Sequence, residues 1–411
     1  MSKRKHAVEM SLVLANQLIS GFGSLILLKL ISHNLSPVLY GYYALMTSVV
    51  ALLAALPFNA LNQAVLRFSS TCKDEEERNK HIVSFLFLYG IFIFLYFFLT
   101  ILIYPFLSDP IWKKTIWIIY LYFLSQIFYT LVVYICTAMR LRARALFLAS
   151  MAILLNVSLL IIGFRYFELQ QMDWIFGLLC VGFFLSPFAA IGQRYKLLLQ
   201  VHWKFDLSFI RELFEFSFPL VVMSGFIWFR TMASRWYLDF FVDKTAVAIF
   251  AILGTLAMMI PTAFQSFFFS YFSPIFYKLY EANPKEAMKK LNRIMVIVIL
   301  FFLISLGVAA VFGRFLVELF SNSYYAHYSW MLVWMYGAFS LYIVSSMYVV
   351  LKAFAGKKTK KLMAPNIILD VLALCTGIIM AKEFGLIGGF LNFVVMYALL
   401  GCVLLIMLGR N

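Results

Sequence analysis

The sequence predicts an all-α integral membrane protein, with about 12 transmembrane helices in two six-helix lobes around a central cavity. Three observations predict it. The 411-residue chain is 64% hydrophobic with 13% charged residues and a mean hydropathy of +0.93, too apolar for a soluble domain of this size. Apolar stretches of bilayer-spanning length recur along the whole chain, separated by short loops. Lys and Arg concentrate in alternate loops, the pattern that marks the cytoplasmic side of a polytopic protein.

In order, the apolar stretches fall at 10–32, 41–70, 82–105, 114–139, 145–166, 174–193, 213–238, 246–276, 291–319, 328–352, 362–381 and 385–409. Ser2-Lys3-Arg4-Lys5 precedes the first without a convincing cleavage site, so that stretch reads as a span rather than a removable signal. The second and eighth exceed one straight span, and Pro57 and Pro261 offer bends within them. The longest loop, 194–212, separates spans six and seven. It is the natural boundary between an N-terminal lobe, 1–198, and a C-terminal lobe, 199–411.

Of the 34 Lys and Arg residues, 24 fall on the side of the N-terminus, 6 on the opposite side and four inside spans. This places both termini in the cytoplasm. The same distribution explains the net charge of +16 without nucleic acid, because no basic domain stands apart from the spans. Five cysteines, an odd count without a CxxC pair, argue against a disulfide framework or zinc site, and His6, His33, His81, His202 and His327 show no ligand spacing. The sequence therefore assigns no metal and no cofactor. Gly-rich phosphate loops and GxSxG elbows are likewise lacking.

The four cations inside spans are Lys29, Arg67, Arg230 and Arg235, and only Asp370 is a comparably deep acid. A charge at the bilayer centre costs about 2.5–3.5 kcal/mol on insertion scales, so each marks a constraint. Asn59, Gln63 and Arg67 share one face of span two, continued by Ser70. Adding 207 to 59 and 63 gives Ser266 and Ser270 in span eight, a row that Thr262 extends. Span seven carries Ser217, Ser224, Trp228, Thr231 and Arg235 on one face, and the same offset from 224 and 231 gives Gln17 and Ser24 in span one. Gly41-Tyr42-Tyr43-Ala44-Leu45 and Ala248-Ile249-Phe250-Ala251-Ile252 match loosely in residue size at that offset, which supports two related halves. These faces read either as a polar lumen or as ordinary interhelical glue. Lys29 either lines the lumen or snorkels to the outer interface. Arg230 lies about 140° from Arg235 on an ideal helix, so either Pro219 and Gly225 kink the span or Arg230 pairs with another helix. Asp370 reads as a proton or cation coupling site, or as a fixed partner for a buried arginine.

Several short stretches resemble a known family. Lys29-Leu30-Ile31-Ser32, Leu35-Ser36-Pro37 and Tyr40-Gly41-Tyr42-Tyr43 resemble the opening of polysaccharide repeat-unit flippases of the Wzx type. These belong to the multidrug/oligosaccharidyl-lipid/polysaccharide exporter superfamily. Phe216-Ser217-Phe218-Pro219-Leu220 is similar to the family's F-S-x-P stretch. Ser234-Arg235-Trp236-Tyr237-Leu238 before Ile249-Phe250-Ala251 resembles its D-R-x-x-L segment before G-x-Y-A, with Ser234 for the usual Asp and Ala248 for the usual Gly. Lys382 to Gly389 resembles its late YGxxG turn. The resemblance implies two six-helix lobes, a cationic lumen and alternating access that flips a polyprenyl-diphosphate-linked oligosaccharide across the bacterial inner membrane, for O-antigen or related surface polysaccharide. It also implies membrane lipids, H+ or Na+ as coupling ion, and polysaccharide polymerase machinery as partners.

Three function classes follow. A flippase needs polar groups to replace the water around a headgroup, with arginine matched to phosphate and Asn, Gln, Ser and Tyr to sugar hydroxyls. A multidrug or cation exporter of the same superfamily is expected to use lumen acids, whereas spans one and two carry no deep acid. A membrane-embedded polysaccharide-processing enzyme would be expected to show a long outer loop or a buried catalytic His, and the sequence shows neither.

Overall fold

The computed structural model describes residues 3–69, 75–138, 141–167, 171–191, 207–355 and 360–409. Among these residues the regular structure is helical, without strands. In chain order the helices are α1 (Lys3–Asn34), α2 (Pro37–Leu53), α3 (Ala60–Ser69), α4 (Glu75–Ile103), α5 (Pro110–Ala138), α6 (Arg142–Tyr166), α7 (Met172–Ile191), α8 (Leu207–Phe241), α9 (Lys244–Ala282), α10 (Pro284–Phe320), the single turn α11 (Ser323–Ala326), α12 (Ser329–Ala355) and α13 (Lys360–Gly409). Nine helical segments among the described residues are long and apolar enough to cross a membrane, and Leu18–Asn34 and Met172–Phe188 are shorter apolar helices. The chain is a multi-pass, all-α membrane protein.

Two prolines behave differently. At Pro57 the helix opens into a wide turn, Ala54–Asn59, with Leu56 in an extended conformation (φ −116°, ψ 107°). The Tyr96 hydroxyl donates to the Leu56 carbonyl, which satisfies a backbone group in an apolar setting. Pro261 leaves α9 helical throughout its 39 residues. That helix is about 58 Å long at 1.5 Å per residue, so it extends beyond a hydrocarbon core of about 30 Å. His33, expected in the first outer loop, lies in the last turn of α1, because the helix continues past the apolar run. Spans eleven and twelve are joined without a separate loop: α13 changes direction at Gly385, whose φ of +58° suits a residue without a Cβ.

The described chain packs as two compact units. One comprises residues 1–27 and 46–228, the other 28–45 and 229–411. The boundary expected at 198/199 lies outside the described residues. In the first unit α7 packs along α5 and α6, and α3 lies against α4 and α5. Phe58, beside the Pro57 break, meets Tyr89, Phe92, Tyr96 and Phe123 at ring separations of 4.9–6.4 Å. Within this cluster the Tyr89 hydroxyl donates to the Asn62 side chain. In the second unit α12 is the central helix, packed against α9, α10 and α13. Its aromatic pair Phe339 and Tyr342 meets Tyr397 of α13, whose ring lies tilted against that of Phe393.

Candidate functional site

α8 presents two polar rows. Arg230, Ser234 and Tyr237 are spaced i, i+4, i+7 and share a face. They line a small cleft of about 20 Å³ with Asp370, Ala373, Asn392, Phe393 and Tyr397 of α13. Arg230 Nη1 donates to Asn366 Oδ1 at 3.2 Å and lies 3.3 Å from Asp370 Oδ1. Asn366 and Asp370, four apart on α13, thus converge on one guanidinium nitrogen. The guanidinium carbon sits 5.2 Å from the Tyr342 ring centroid. The pair is well withdrawn, with 11% of the Arg230 side chain and 3% of Asp370 exposed. Such a pair compensates two desolvated charges without adding much net stability, whereas removing one partner leaves an expensive lone charge.

The rest of the cleft is a hydrogen-bonded girdle with two open points. Thr376 donates to Asn392 Oδ1 at 2.7 Å, and Asn392 Nδ2 reaches the Ala373 carbonyl at 3.0 Å and the Tyr237 hydroxyl at 3.3 Å. The buried Tyr397 hydroxyl and Asp370 Oδ1 have no hydrogen-bond partner among the described residues. Asp370 Oδ1 is near enough to Arg230 for an ion pair, yet the two are not aligned for a hydrogen bond. Arg230 makes both of its polar contacts through Nη1, so the Nε–Nη2 edge of the fork has none among the described residues.

The other row of α8 reads onto α2. Trp228 Nε1 donates to the Ser48 carbonyl at 2.8 Å, in the first unit. Arg235 Nη1 donates to the Ala44 carbonyl at 2.8 Å, in the second, beside Tyr40 and Tyr43. Lys29 is held within the second unit too: its ammonium donates to the Glu318 and Ser321 carbonyls at 2.9 and 2.7 Å. These lie at the C-terminus of α10, where a cation complements unpaired carbonyls and the helix dipole. Asn322 Nδ2 adds a bond to the Ser32 carbonyl at 3.0 Å. Gly41 lies so close to the Lys244 carbonyl that a Cβ would collide with it, and Lys244 pairs with Asp239 at 2.5 Å and sits 4.8 Å from the Tyr42 ring centroid. Residues 28–45 are therefore a strap fastened to the second unit, with Lys29 and Arg235 among its fasteners.

Arg67 has a different setting. It is exposed at the end of α3, with its guanidinium 4.6 Å from the Phe216 ring centroid and 5.7 Å from that of Phe68. Asn59 and Gln63 on the same face are exposed as well. Nearby, Phe209 stacks on His81 at 3.6 Å and packs on Phe68 and Phe85. Ser24 is exposed and bonds back to the Ser20 carbonyl, and Ser224, Thr231 and Ser266 are half-buried. Ser70 and the side chains of Gln17 and Ser270 lie outside the described residues.

The structure brings Arg230 and Asp370 together and leaves two cations outside that cleft's lining: Lys29, on the strap, and Arg235, which holds the strap from α8. Sequence reasoning missed Asn366, Tyr342, Asn392 and Tyr397. The one available signal was Asn366, a turn before the lone deep acid on the same face.

No protein-family model matches the chain, and no curated protein matches it by sequence. Solved structures do match its fold. A structure of the lipid II flippase MurJ in an inward closed conformation has a TM-score of 0.69 at 16% identity, over 98% of this chain and 88% of that one. An inward-facing multidrug resistance MATE family transporter of the MOP superfamily has a TM-score of 0.64 at 14% identity, over 98% and 93%. A MOP superfamily transporter from Pyrococcus furiosus, whose binding pocket is described as reversed in polarity, has a TM-score of 0.64 at 13% identity, over 97% and 94%. The chain therefore has the fold of the MOP superfamily transporters and flippases.

Proposed function

We propose that this protein is a flippase of the Wzx type, moving a polyprenyl-diphosphate-linked oligosaccharide repeat unit across the bacterial inner membrane by alternating access. In this reading the lobes are 1–198 and 199–411, both termini are cytoplasmic, and the product feeds O-antigen or a related surface polysaccharide. The observation that carries it is the arginine chemistry inside the spans. Three guanidiniums are present, and the one acid comparably deep is already paired to one of them. A planar fork suits phosphate, and the exposed Asn59–Gln63–Arg67 face suits phosphate and hydroxyl groups. The MurJ-like fold supports the reading as far as fold goes. The same fold accommodates multidrug transporters, so the competing reading is export of organic cations. A cationic drug would meet an arginine-rich site with a single neutralised acid, which disfavours it.

The test is a deletion strain examined for two phenotypes. Accumulation of a lipid-linked oligosaccharide on the cytoplasmic leaflet, with loss of surface polymer, supports the flippase. Normal polymer together with new sensitivity to cationic drugs overturns it. In the strain's complementation, charge reversal at both Arg67 and Arg235, at normal protein level, is expected to abolish polymer export.

A further inference from the structure

We propose that the outward face of α10, at its basic end, is a headgroup site for an anionic phospholipid, with Lys289, Lys290 and Arg293 gripping the phosphate. The surface belongs to the second unit alone, and it stands whatever the protein transports.

α10 has two faces. Its buried stripe runs Ala287–Leu291–Met295–Val298–Phe302 and on to Val317. Opposite lie Ile297, Leu300, Ile304 and Val311, large apolar side chains left exposed, which is the face that a bilayer covers. Lys289, Lys290 and Arg293 are exposed as well. At 100° per residue they share an arc of about 100° with those four apolar residues. The three cations thus continue the lipid-facing stripe past its apolar end. Depth agrees with register. Residues 294–313 carry no charge, and Arg293 and Arg314 bracket them. That run, at 1.5 Å per residue, is about 30 Å long, the thickness of the hydrocarbon core, so Arg293 stands at its edge. Lys289, one turn before it, lies about 6 Å further out, within a headgroup layer about 5–8 Å deep.

The platform is held in place. Ala287 and Leu291 are fully buried behind the cations, and Tyr348 of α12 donates to Asn292 Oδ1 at 2.9 Å on the same turn. The protein does not supply the counter-charge. Glu281 and Glu286 are exposed on the same hairpin, yet none of the three cations forms an ion pair among the described residues. Lys278 and Lys285, also exposed, add positive field further from the hydrocarbon. The opposite end of α10 differs, with Arg314 its lone cation and Glu318 one turn on. A phosphodiester suits the basic end: the Arg293 fork can bind two of its oxygens, and the lysines add point charges. A zwitterionic headgroup brings its own cation, which three like charges repel. The site therefore selects an anionic phospholipid, of the phosphatidylglycerol kind.

The test uses the full-length protein in detergent micelles, with phosphatidylglycerol as probe and phosphatidylcholine, inorganic phosphate and undecaprenyl diphosphate as comparisons. Hydrogen exchange over 285–293 is expected to slow with phosphatidylglycerol and to stay unchanged with phosphatidylcholine or inorganic phosphate. Phosphatidylglycerol affinity, read by native mass spectrometry, is expected to fall about fivefold for each of Lys289→Gln, Lys290→Gln and Arg293→Gln, and on the order of a hundredfold when all three are combined. A control triple, Lys113→Gln with Arg165→Gln and Arg314→Gln, makes the same change of charge at exposed cations elsewhere and is expected to bind as wild type does. Unfolding midpoints in plain detergent are expected to match, since all six side chains are exposed. Equal losses of affinity in the two triples would reduce the attraction to net charge and overturn the site. Unslowed exchange over 285–293 in wild type would overturn it without any variant. Stronger protection of that segment by undecaprenyl diphosphate than by phosphatidylglycerol would hand the cations to the carrier lipid and overturn the phospholipid.

Discussion

The surroundings of Arg230 and of Arg67 are two answers to one problem, a guanidinium in an apolar segment. Arg230 is enclosed by its own unit and meets a carboxylate, an amide oxygen and the face of Tyr342. Arg67 stays at the surface of its unit and rests on the faces of Phe216 and Phe68. The first solution neutralises the charge. The second rests the cation on aromatic faces, a contact worth about 0.5–1 kcal/mol at an exposed site. Lys29 and Arg235 are a third solution, spread over backbone carbonyls. Buried charge in the sequence is thus not one signal: what decides a cation's role is the group that answers it.

The largest expected effect breaks the comparison at its enclosed end. Asp370→Ala removes the carboxylate and leaves Arg230 uncompensated, at a cost of about 3–5 kcal/mol. The measurement is thermal unfolding in detergent, where the midpoint is expected to fall steeply. A double change, Arg230→Met with Asp370→Ala, is expected to recover much of that loss. If the double variant is as unstable as the single one, the pair is not the source of the effect.

The strap gives the next two effects. Gly41→Ala pushes a methyl group against the Lys244 carbonyl, which is backbone and cannot swing aside. A cost of about 1–3 kcal/mol is expected from overpacking, visible as faster hydrogen exchange over 28–45. Lys29→Met keeps the aliphatic stem but removes the cation from the end of α10. About 1 kcal/mol is expected, with exchange rising at the last turn of α10 rather than along its whole length. An unchanged exchange pattern in Lys29→Met would show that the carbonyls at Glu318 and Ser321 do not need the ammonium.

How much of this was legible follows from what each feature needs. Span positions depend only on local apolarity, and the helices lie where the hydrophobic runs are, extending past them into polar flanks such as Pro284–Met288 of α10. The Pro57 break is legible because proline removes a backbone donor. The continuity of α9 through Pro261 is not, since packing around a helix can absorb the missing bond. The cleft was half legible. Asp370 announced itself as a lone deep acid, and Asn366 shares its face, but Tyr342, Asn392 and Tyr397 come from separate segments and do not stand out in an aromatic-rich chain. The strap was invisible, because its receptors are carbonyls, which every residue carries.

The smallest expected effect on stability is the most discriminating between the two arginine settings. Arg67→Ala removes an exposed guanidinium, and contacts of an exposed cation are each worth about 1 kcal/mol or less, so a small shift of the unfolding midpoint is expected. If Arg67 serves the substrate, surface polymer should nevertheless fall sharply, and Arg67→Lys should restore part of it, because charge remains while the fork is lost. For Arg230 the order reverses, with stability suffering first and transport following it. A polymer level in Arg67→Ala that tracks the small stability loss would give this residue a structural role only. A loss of polymer with a folded, unshifted protein would assign the exposed face of α3 to the substrate.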